Sequence, residues 1–152
     1  MPMHLNPLNF CKVSRAITVT AGAAGTTDVA GVVCDMSLFE VVECEITLGA
    51  LTTGGTCTFK WQQSSDDGVA DAYSDLTGTL VTADVDADDE KIISMVLVKP
   101  LKRYVRVYND RATANSVCSA VYRQYGPLRN EPVTQGSNVI TSSDISPVEG
   151  TA

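Results

Sequence analysis

Histidine is almost absent from this chain: of its 152 residues, only His4 carries an imidazole. His4 lies in a proline-containing N-terminal segment, which makes it a surface residue and a poor general base. The sequence also has no Gly-x-Ser-x-Gly elbow and no glycine-rich phosphate loop leading into a helix. We predict that the protein is not an enzyme and uses no cofactor, although chemistry by carboxylates alone stays open.

Long apolar runs are lacking too. The stretch Ile92–Val98 is among the longest, and it is far too short to span a bilayer. The opening residues, MPMHLNP, lack the basic region and apolar run of a secretory signal, so we expect the protein to stay in the compartment where it is made. The formal net charge of −7 argues against non-specific binding to phosphate backbones. We therefore predict neither a membrane nor a nucleic-acid partner.

Paired cysteine motifs are missing. The chain has 5 cysteines, an odd number with no CxxC pair, and several of them sit inside apolar runs. This pattern favours reduced, buried thiols that act as small hydrophobic residues. A disulfide or a metal site is the less favoured alternative. The cysteines are Cys11, Cys34, Cys44, Cys57 and Cys118.

The acidic segment 84–90, DVDADDE, is the best candidate for a metal site. Its opening aspartates imitate the start of an EF-hand loop, but the sixth position is Asp89 instead of glycine and the twelfth is Met95 instead of glutamate. A solvated loop between strands is the prediction, and weak calcium or magnesium binding is the alternative. We assign no metal ligands.

No helical period is sustained over a dozen residues, whereas short runs of Val, Ile, Thr and aromatic residues recur between polar turns. Val42, Cys44 and Ile46 alternate with polar residues, and Cys57, Phe59 and Trp61 do the same, which indicates strands with one packed and one wet face. The run 92–98 alternates less, so it is predicted to be a central strand covered on both faces. The predicted strands are 16–20, 31–35, 38–48, 56–63, 79–82, 91–98, 103–108 and 116–125, with a short one near 73–76.

This pattern predicts an all-β fold: an antiparallel β-sandwich of the jelly-roll kind, with an immunoglobulin-like sandwich as the alternative. The predicted sandwich domain covers residues 13–126. Residues 1–12 form a predicted N-terminal arm. Residues 127–152, rich in Pro, Ser, Thr, Gly and Asn, form a C-terminal tail or an arm that orders against a neighbouring molecule.

Arginine and tyrosine concentrate between Lys99 and Pro127, in what looks like two strands joined by a polar turn. We predict a docking face for an acidic protein surface there, since Arg and Tyr are favoured interface anchors. A solvated sheet face and a small nucleic-acid patch are the alternatives. The candidate interface residues are Arg103, Arg106, Arg111, Arg123, Tyr125 and Arg129.

The same region carries a resemblance. The run KPLKRYVRV at 99–107, the run DRATAN at 110–115 and the ending QYGP at 124–127 resemble jelly-roll decoration, or cement, proteins of tailed-bacteriophage heads. The upstream pieces FKWQQSSDDG at 59–68 and YSDLTG at 73–78 look similar to the same group. The likeness covers about half of the chain and contains no catalytic motif.

The resemblance implies a structural virion protein. Such a protein is made in the host cytoplasm, binds the outside of the head, bridges major capsid subunits and self-associates as a trimer or another homo-oligomer. A carbohydrate- or receptor-binding module of a tail fibre is the alternative function. The low aromatic content of 6% and the inward position of Trp61 disfavour it, because sugar sites need exposed rings.

Overall fold

Ten strands form the body of the part of the protein that the structure describes. The structure, a computed structural model, describes residues 6–84, 87–112, 116–127 and 133–141. A single turn of 3-10 helix, Pro7–Asn9, precedes the strands, and no α-helix occurs in these ranges. The strands are β1 (Lys12–Ile17), β2 (Val29–Ala30), β3 (Cys34–Asp35), β4 (Phe39–Leu51), β5 (Thr56–Ser64), β6 (Ser74–Asp75), β7 (Val81–Asp84), β8 (Ile92–Val98), β9 (Tyr104–Ala112) and β10 (Ser116–Pro127).

The strands form two antiparallel sheets. The first has the order β1-β10-β4-β8, and the second has the order β2-β9-β5-β6. In the second sheet the short strands β2 and β3 pair with different parts of β9, and β6 and β7 pair with different parts of β5. Each of these two pairs of short strands therefore occupies a single strand position in the sheet. Two four-position antiparallel sheets, between which the chain crosses repeatedly, make a jelly roll. The predicted all-β sandwich is confirmed.

The core lies between the sheets and is filled by the inward residues of the long strands. On β5, Phe59 and Trp61 are fully buried, as the alternation predicts. On β10, Tyr122 is fully buried and stacks on Trp61 with ring centroids 5.9 Å apart. Burying rings of this size contributes a large share of the hydrophobic stabilisation of a small domain.

The strands between Lys99 and Pro127 do not form a paired hairpin. β9 pairs with β2, β3 and β5 in the second sheet, whereas β10 pairs with β1 and β4 in the first. The outward residues of β9 and β10 therefore lie on opposite faces of the sandwich. The prediction of a single Arg and Tyr face from this segment is wrong, because alternation along each strand cannot show which sheet the strand joins.

The predicted central position of the run 92–98 is also wrong. β8 ends the first sheet and pairs only with β4 among the described residues. Met95 is buried, but the outward side chains of Ile92, Val96 and Val98 are exposed. The run is nearly all apolar because its outward side chains are apolar even though they are exposed to solvent, and not because the strand is buried on both faces.

The two terminal segments meet on the first sheet. The Val133 amide donates to the Asn9 carbonyl at 3.0 Å. The Gln135 amide group accepts from the Val13 amide at 2.9 Å and donates to the Leu8 carbonyl at 3.1 Å. Residues 133–135 thus cover the start of β1 and the residues just before it. The remaining parts of both predicted arms, residues 1–5, 128–132 and 142–152, lie outside the described residues.

Candidate functional site

The sandwich separates the six predicted interface residues. Arg103, in the turn before β9, and Arg106, on β9, belong to the outer face of the second sheet. Arg123 and Tyr125 are outward residues of β10 on the first sheet. Arg111 is buried, and Arg129 lies outside the described residues. The structure thus brings Arg103 and Arg106 together on one face, and Arg123 and Tyr125 together on the other.

Arg111 cannot belong to a docking face, and this prediction is wrong. The odd-numbered residues of β9 face the core, and Arg111 is one of them, with only 6% of the residue exposed. The guanidinium donates to the carbonyls of Ala23 at 3.0 Å and Ala21 at 3.3 Å, so it holds the segment after β1 against the sandwich. Its role is internal.

Arg123 and Tyr125 already have carboxylate partners on their own sheet. Arg123 forms an ion pair with Glu45 of the neighbouring strand β4. The Tyr125 hydroxyl donates to Glu43 at 3.0 Å, and Glu43 also accepts from Ser94 at 2.7 Å. These hydrogen bonds, with that of Ser94 the largest contribution, lower the pKa of Glu43.

The outer face of the second sheet is the most structured surface of the described residues. On β9 the outward positions are Tyr104, Arg106 and Tyr108, and on β5 they include Lys60 and Gln62. Cations lie on aromatic rings throughout this face. We call it the Arg–Tyr face and define it by Lys60, Gln62, Tyr73, Asp75, Arg103, Tyr104, Arg106 and Tyr108.

Each tyrosine of the Arg–Tyr face carries a cation. The Arg106 guanidinium lies 4.0 Å from the centroid of the Tyr73 ring, and Arg106 Nε donates to Gln62 at 2.9 Å. The Arg103 guanidinium lies 4.9 Å from the Tyr104 ring, and the Lys60 ammonium lies 5.3 Å from the Tyr108 ring. Cation–π contacts of this kind restrict both partners.

Carboxylates hold two of these cations in place. Arg103 donates to both carboxylate oxygens of Asp35, at 2.9 and 2.6 Å. This pairing is the main reason that the pKa of Asp35 falls to about 2. Lys60 donates to Asp75 at 2.7 Å, which raises the pKa of the lysine and lowers that of the aspartate.

The turn after β5 supports one side of the face. The Asp66 carboxylate accepts from the backbone amides of Val69, Ala70 and Asp71, which closes the turn on itself. Lys102 donates to Asp71 at 2.7 Å and so ties the turn to the segment before β9. This acidic loop is internally bonded, and it places Tyr73 under Arg106.

No protein-family model matches the chain, and no curated protein matches it significantly.

A second surface is the outer edge of β8. The exposed side chains of Ile92, Val96 and Val98 have 64%, 58% and 60% of their area in solvent. Lys91 and Lys99 make backbone hydrogen bonds to β4, so the even-numbered residues direct their backbone N–H and C=O groups to the other side. Across the part of the chain that the structure describes, no strand pairs with that side.

The described residues offer no evident metal site. Within the described residues, no group of three or more His, Cys, Asp and Glu side chains is arranged to hold a metal ion. Asp88 pairs with Lys91, and Asp89 accepts from the Leu51 amide at 2.9 Å. Residues 85–86 of the acidic loop lie outside the described residues. No helix among the residues described has the length and apolarity to cross a bilayer.

Sequence reasoning missed Lys60, Tyr73, Tyr104 and Tyr108 as members of the main surface. A signal was present, since Tyr104, Arg106 and Tyr108 alternate with Val105, Val107 and Asn109. What the sequence lacks is the pairing of Lys60 with Tyr108 and of Gln62 with Arg106, which follows from the register of β5 on β9.

Proposed function

We propose that this protein is a decoration, or cement, protein of a tailed-bacteriophage head. It binds the outer surface of the shell and bridges neighbouring major capsid subunits. The observation that carries the proposal is the Arg–Tyr face: a rigid outer sheet surface of the residue types that dominate protein interfaces, on the fold that the resemblance implies. The protein is synthesised in the host cytoplasm and ends on the virion exterior.

The Arg–Tyr face is suited to docking because it is held in shape before binding. Arg103 is fixed by Asp35, and Arg106 by Gln62 and Tyr73, so little side-chain entropy is lost on association. The face mixes cations with carboxylates instead of presenting one charge. It therefore fits a mixed polar protein surface better than a nucleic acid.

Self-association is assigned to the β8 edge. At the other edge of the first sheet the Val13 amide is bonded to Gln135 and the Ala16 carbonyl to Val32, whereas β8 offers free backbone groups among the described residues and exposed Ile and Val side chains. Antiparallel pairing of two copies of Ile92–Val98 places no charge opposite another within the strand. Two copies joined in this way bind a repetitive shell by avidity, even where one copy binds weakly.

Sedimentation with empty expanded heads tests the function. The full-length protein should bind heads of the phage that encodes it at a fixed stoichiometry. Tyr104→Ala and Arg106→Ala should each weaken binding by about five- to 150-fold, an effect of about 1–3 kcal/mol. Arg123→Ala on the opposite face is the matched control and should bind like the wild type. Absence of head binding by a correctly folded wild type contradicts the proposal.

The alternative of a sugar-binding module has one favourable observation, the half-buried tyrosines of the Arg–Tyr face. Each of those rings already has a cation on it, which competes with stacking of a sugar. A glycan array run beside the sedimentation assay separates the two functions. Glycan binding that is lost in Tyr104→Ala, without head binding, would favour the module.

A further inference from the structure

Two buried cysteines face each other across the sandwich. Cys57 lies on β5 of the second sheet and Cys118 on β10 of the first, and they are 1% and 2% exposed. Both sulfurs contact the same buried side chain: Cys57 Sγ donates to Asn109 Oδ1 at 2.9 Å, and Asn109 Nδ2 donates to Cys118 Sγ at 3.3 Å. The amide therefore distinguishes the two thiols, one as a donor and one as an acceptor.

Arg111 adds a charge to this cluster. Its Nη2 lies 3.9 Å from Cys118 Sγ, with the geometry of a donor. Among the described residues no carboxylate forms an ion pair with this guanidinium, whose other partners are backbone carbonyls. A buried cation without a counter-charge is costly, and a thiolate at Cys118 would supply that counter-charge.

We propose that Cys118 is held as a thiolate by Arg111 and Asn109, and that Cys57 and Cys118 form a redox pair which hydrogen peroxide converts into a disulfide between the sheets. The inference does not depend on the proposed function. Electrostatics agree with the geometry: the neighbouring Cys57 and the Arg111 guanidinium lower the pKa of Cys118 despite its burial. The interaction with Cys118, together with burial, raises the pKa of Cys57.

The reaction has two displacements. The Cys118 thiolate attacks one oxygen of the peroxide, so an S–O bond forms, the O–O bond breaks, and hydroxide leaves. That hydroxide takes the proton of Cys57, giving water and a thiolate. The Cys57 sulfur then attacks the sulfenic sulfur of Cys118 and releases a second hydroxide. Two electrons pass from the sulfurs to the peroxide.

A surface pocket of about 430 Å³ is lined by residues of the segment 20–30 and by Arg111, and it contacts neither cysteine. Arg111 links the pocket to the pair, because its Nη2 lies 3.9 Å from Cys118 Sγ. The segment itself is bonded to β10, since the Cys118 amide donates to the Gly22 carbonyl at 2.9 Å. A small uncharged oxidant can enter such a space, whereas bulky thiol reagents are excluded. For that reason peroxide is the probe.

Mass spectrometry tests the disulfide. The full-length protein is reduced, freed of reductant, treated with peroxide, and then denatured with an alkylating agent before digestion. We expect a crosslinked peptide joining Cys57 to Cys118 that disappears on reduction, and a rise in Tm of more than about 5 °C. Cys57→Ser and Cys118→Ser should abolish it, and Cys44→Ser, another buried cysteine, should not. Oxidation that stops at Cys118 or joins other cysteines overturns the pair.

Ultraviolet absorbance tests the thiolate independently. At neutral pH the folded wild type should show thiolate absorbance that Cys118→Ser loses and Cys44→Ser keeps. Arg111→Lys should retain part of the signal, and Arg111→Met should lose it, with folding of each variant checked by circular dichroism. In the wild type, peroxide should consume Cys118 roughly tenfold faster than Cys44. Equal rates, or no thiolate signal in the folded wild type, overturn the proposal.

Discussion

Tyr122 crosses the sandwich to complete the hydrogen bonding of Val107. The Val107 amide donates to the Tyr122 hydroxyl at 2.8 Å, and both residues are fully buried. The bond lies at the break between β2 and β3, where the Val107 carbonyl accepts from Gly31 and no strand residue accepts from its amide. A tyrosine of the first sheet thus supplies the hydrogen-bond acceptor that the Val107 amide of the second sheet needs.

Removing that hydroxyl should destabilise the fold. Tyr122→Phe keeps the stacking on Trp61 but leaves a buried amide without a partner, which costs about 1–3 kcal/mol. Urea unfolding followed by Trp61 fluorescence measures the change. Tyr108→Phe is the control, because the Tyr108 hydroxyl donates to Asp28 in an exposed pair and its loss should cost less than about 0.5 kcal/mol. Equal stability of Tyr122→Phe and the wild type would argue against the role of this bond.

Gly22 should tolerate no side chain. A Cβ at this position would lie 1.6 Å from the carbonyl oxygen of Cys118, so Gly22→Ala must push the segment off β10. We expect a loss of at least about 2 kcal/mol in the free energy of unfolding. At Gly25 a Cβ would lie 3.3 Å from the Arg111 guanidinium and 3.7 Å from the Ala23 carbonyl oxygen, and Gly25→Ala should be much milder. Denaturant titration of the two variants checks the order.

Acid should weaken the Asp35–Arg103 pair. Arg103 holds the pKa of Asp35 at about 2 in the folded chain, below its ordinary value of 3.8. The pair therefore stabilises the fold above about pH 4, and that stability is lost as the pH falls toward about 2. Because both side chains are partly exposed, solvent screening limits the effect to less than about 1 kcal/mol.

Asp35→Asn isolates this contribution. Its Tm should fall below that of the wild type at neutral pH, and the difference should shrink as the pH falls toward about 2, where about half of the wild-type carboxyl is protonated. Asp110→Asn is a suitable control, because Asp110 is exposed and forms no ion pair with the residues described. A Tm difference that stays constant from pH 7 to about pH 2 would show that the loss is steric and not electrostatic.

A lysine in the outer row of β8 should block self-association. Val96→Lys introduces a charge in the middle of the exposed edge strand, where a second copy would bring a like charge close. Sedimentation velocity should show a shift from oligomer to monomer by tenfold or more in dissociation constant. Leu80→Lys, at another exposed apolar side chain, should leave the assembly unchanged. Equal sedimentation of the wild type and Val96→Lys would remove β8 as the contact.

The fold class was within reach of the sequence because alternation is local. The inward positions of Phe59 and Trp61 on β5, and of Cys44 and Ile46 on β4, follow from a period of two residues, which any strand with one packed face must obey. The burial of Cys44 and Cys57 follows in the same way. These features need no knowledge of which strands are neighbours.

Strand pairing decided the rest. Arg106 and Arg123 lie on opposite faces because β9 and β10 join different sheets, and β8 is an edge because no strand follows it in the sheet order. Arg111 is buried because β9 continues through residues 109–112, although their composition is typical of a turn. The alternation of β9 turns the Arg111 side chain toward the core. The contacts between Cys57, Asn109 and Cys118 join strands of both sheets. Periodicity fixes the face of a residue within its strand, and only the tertiary structure supplies the partner.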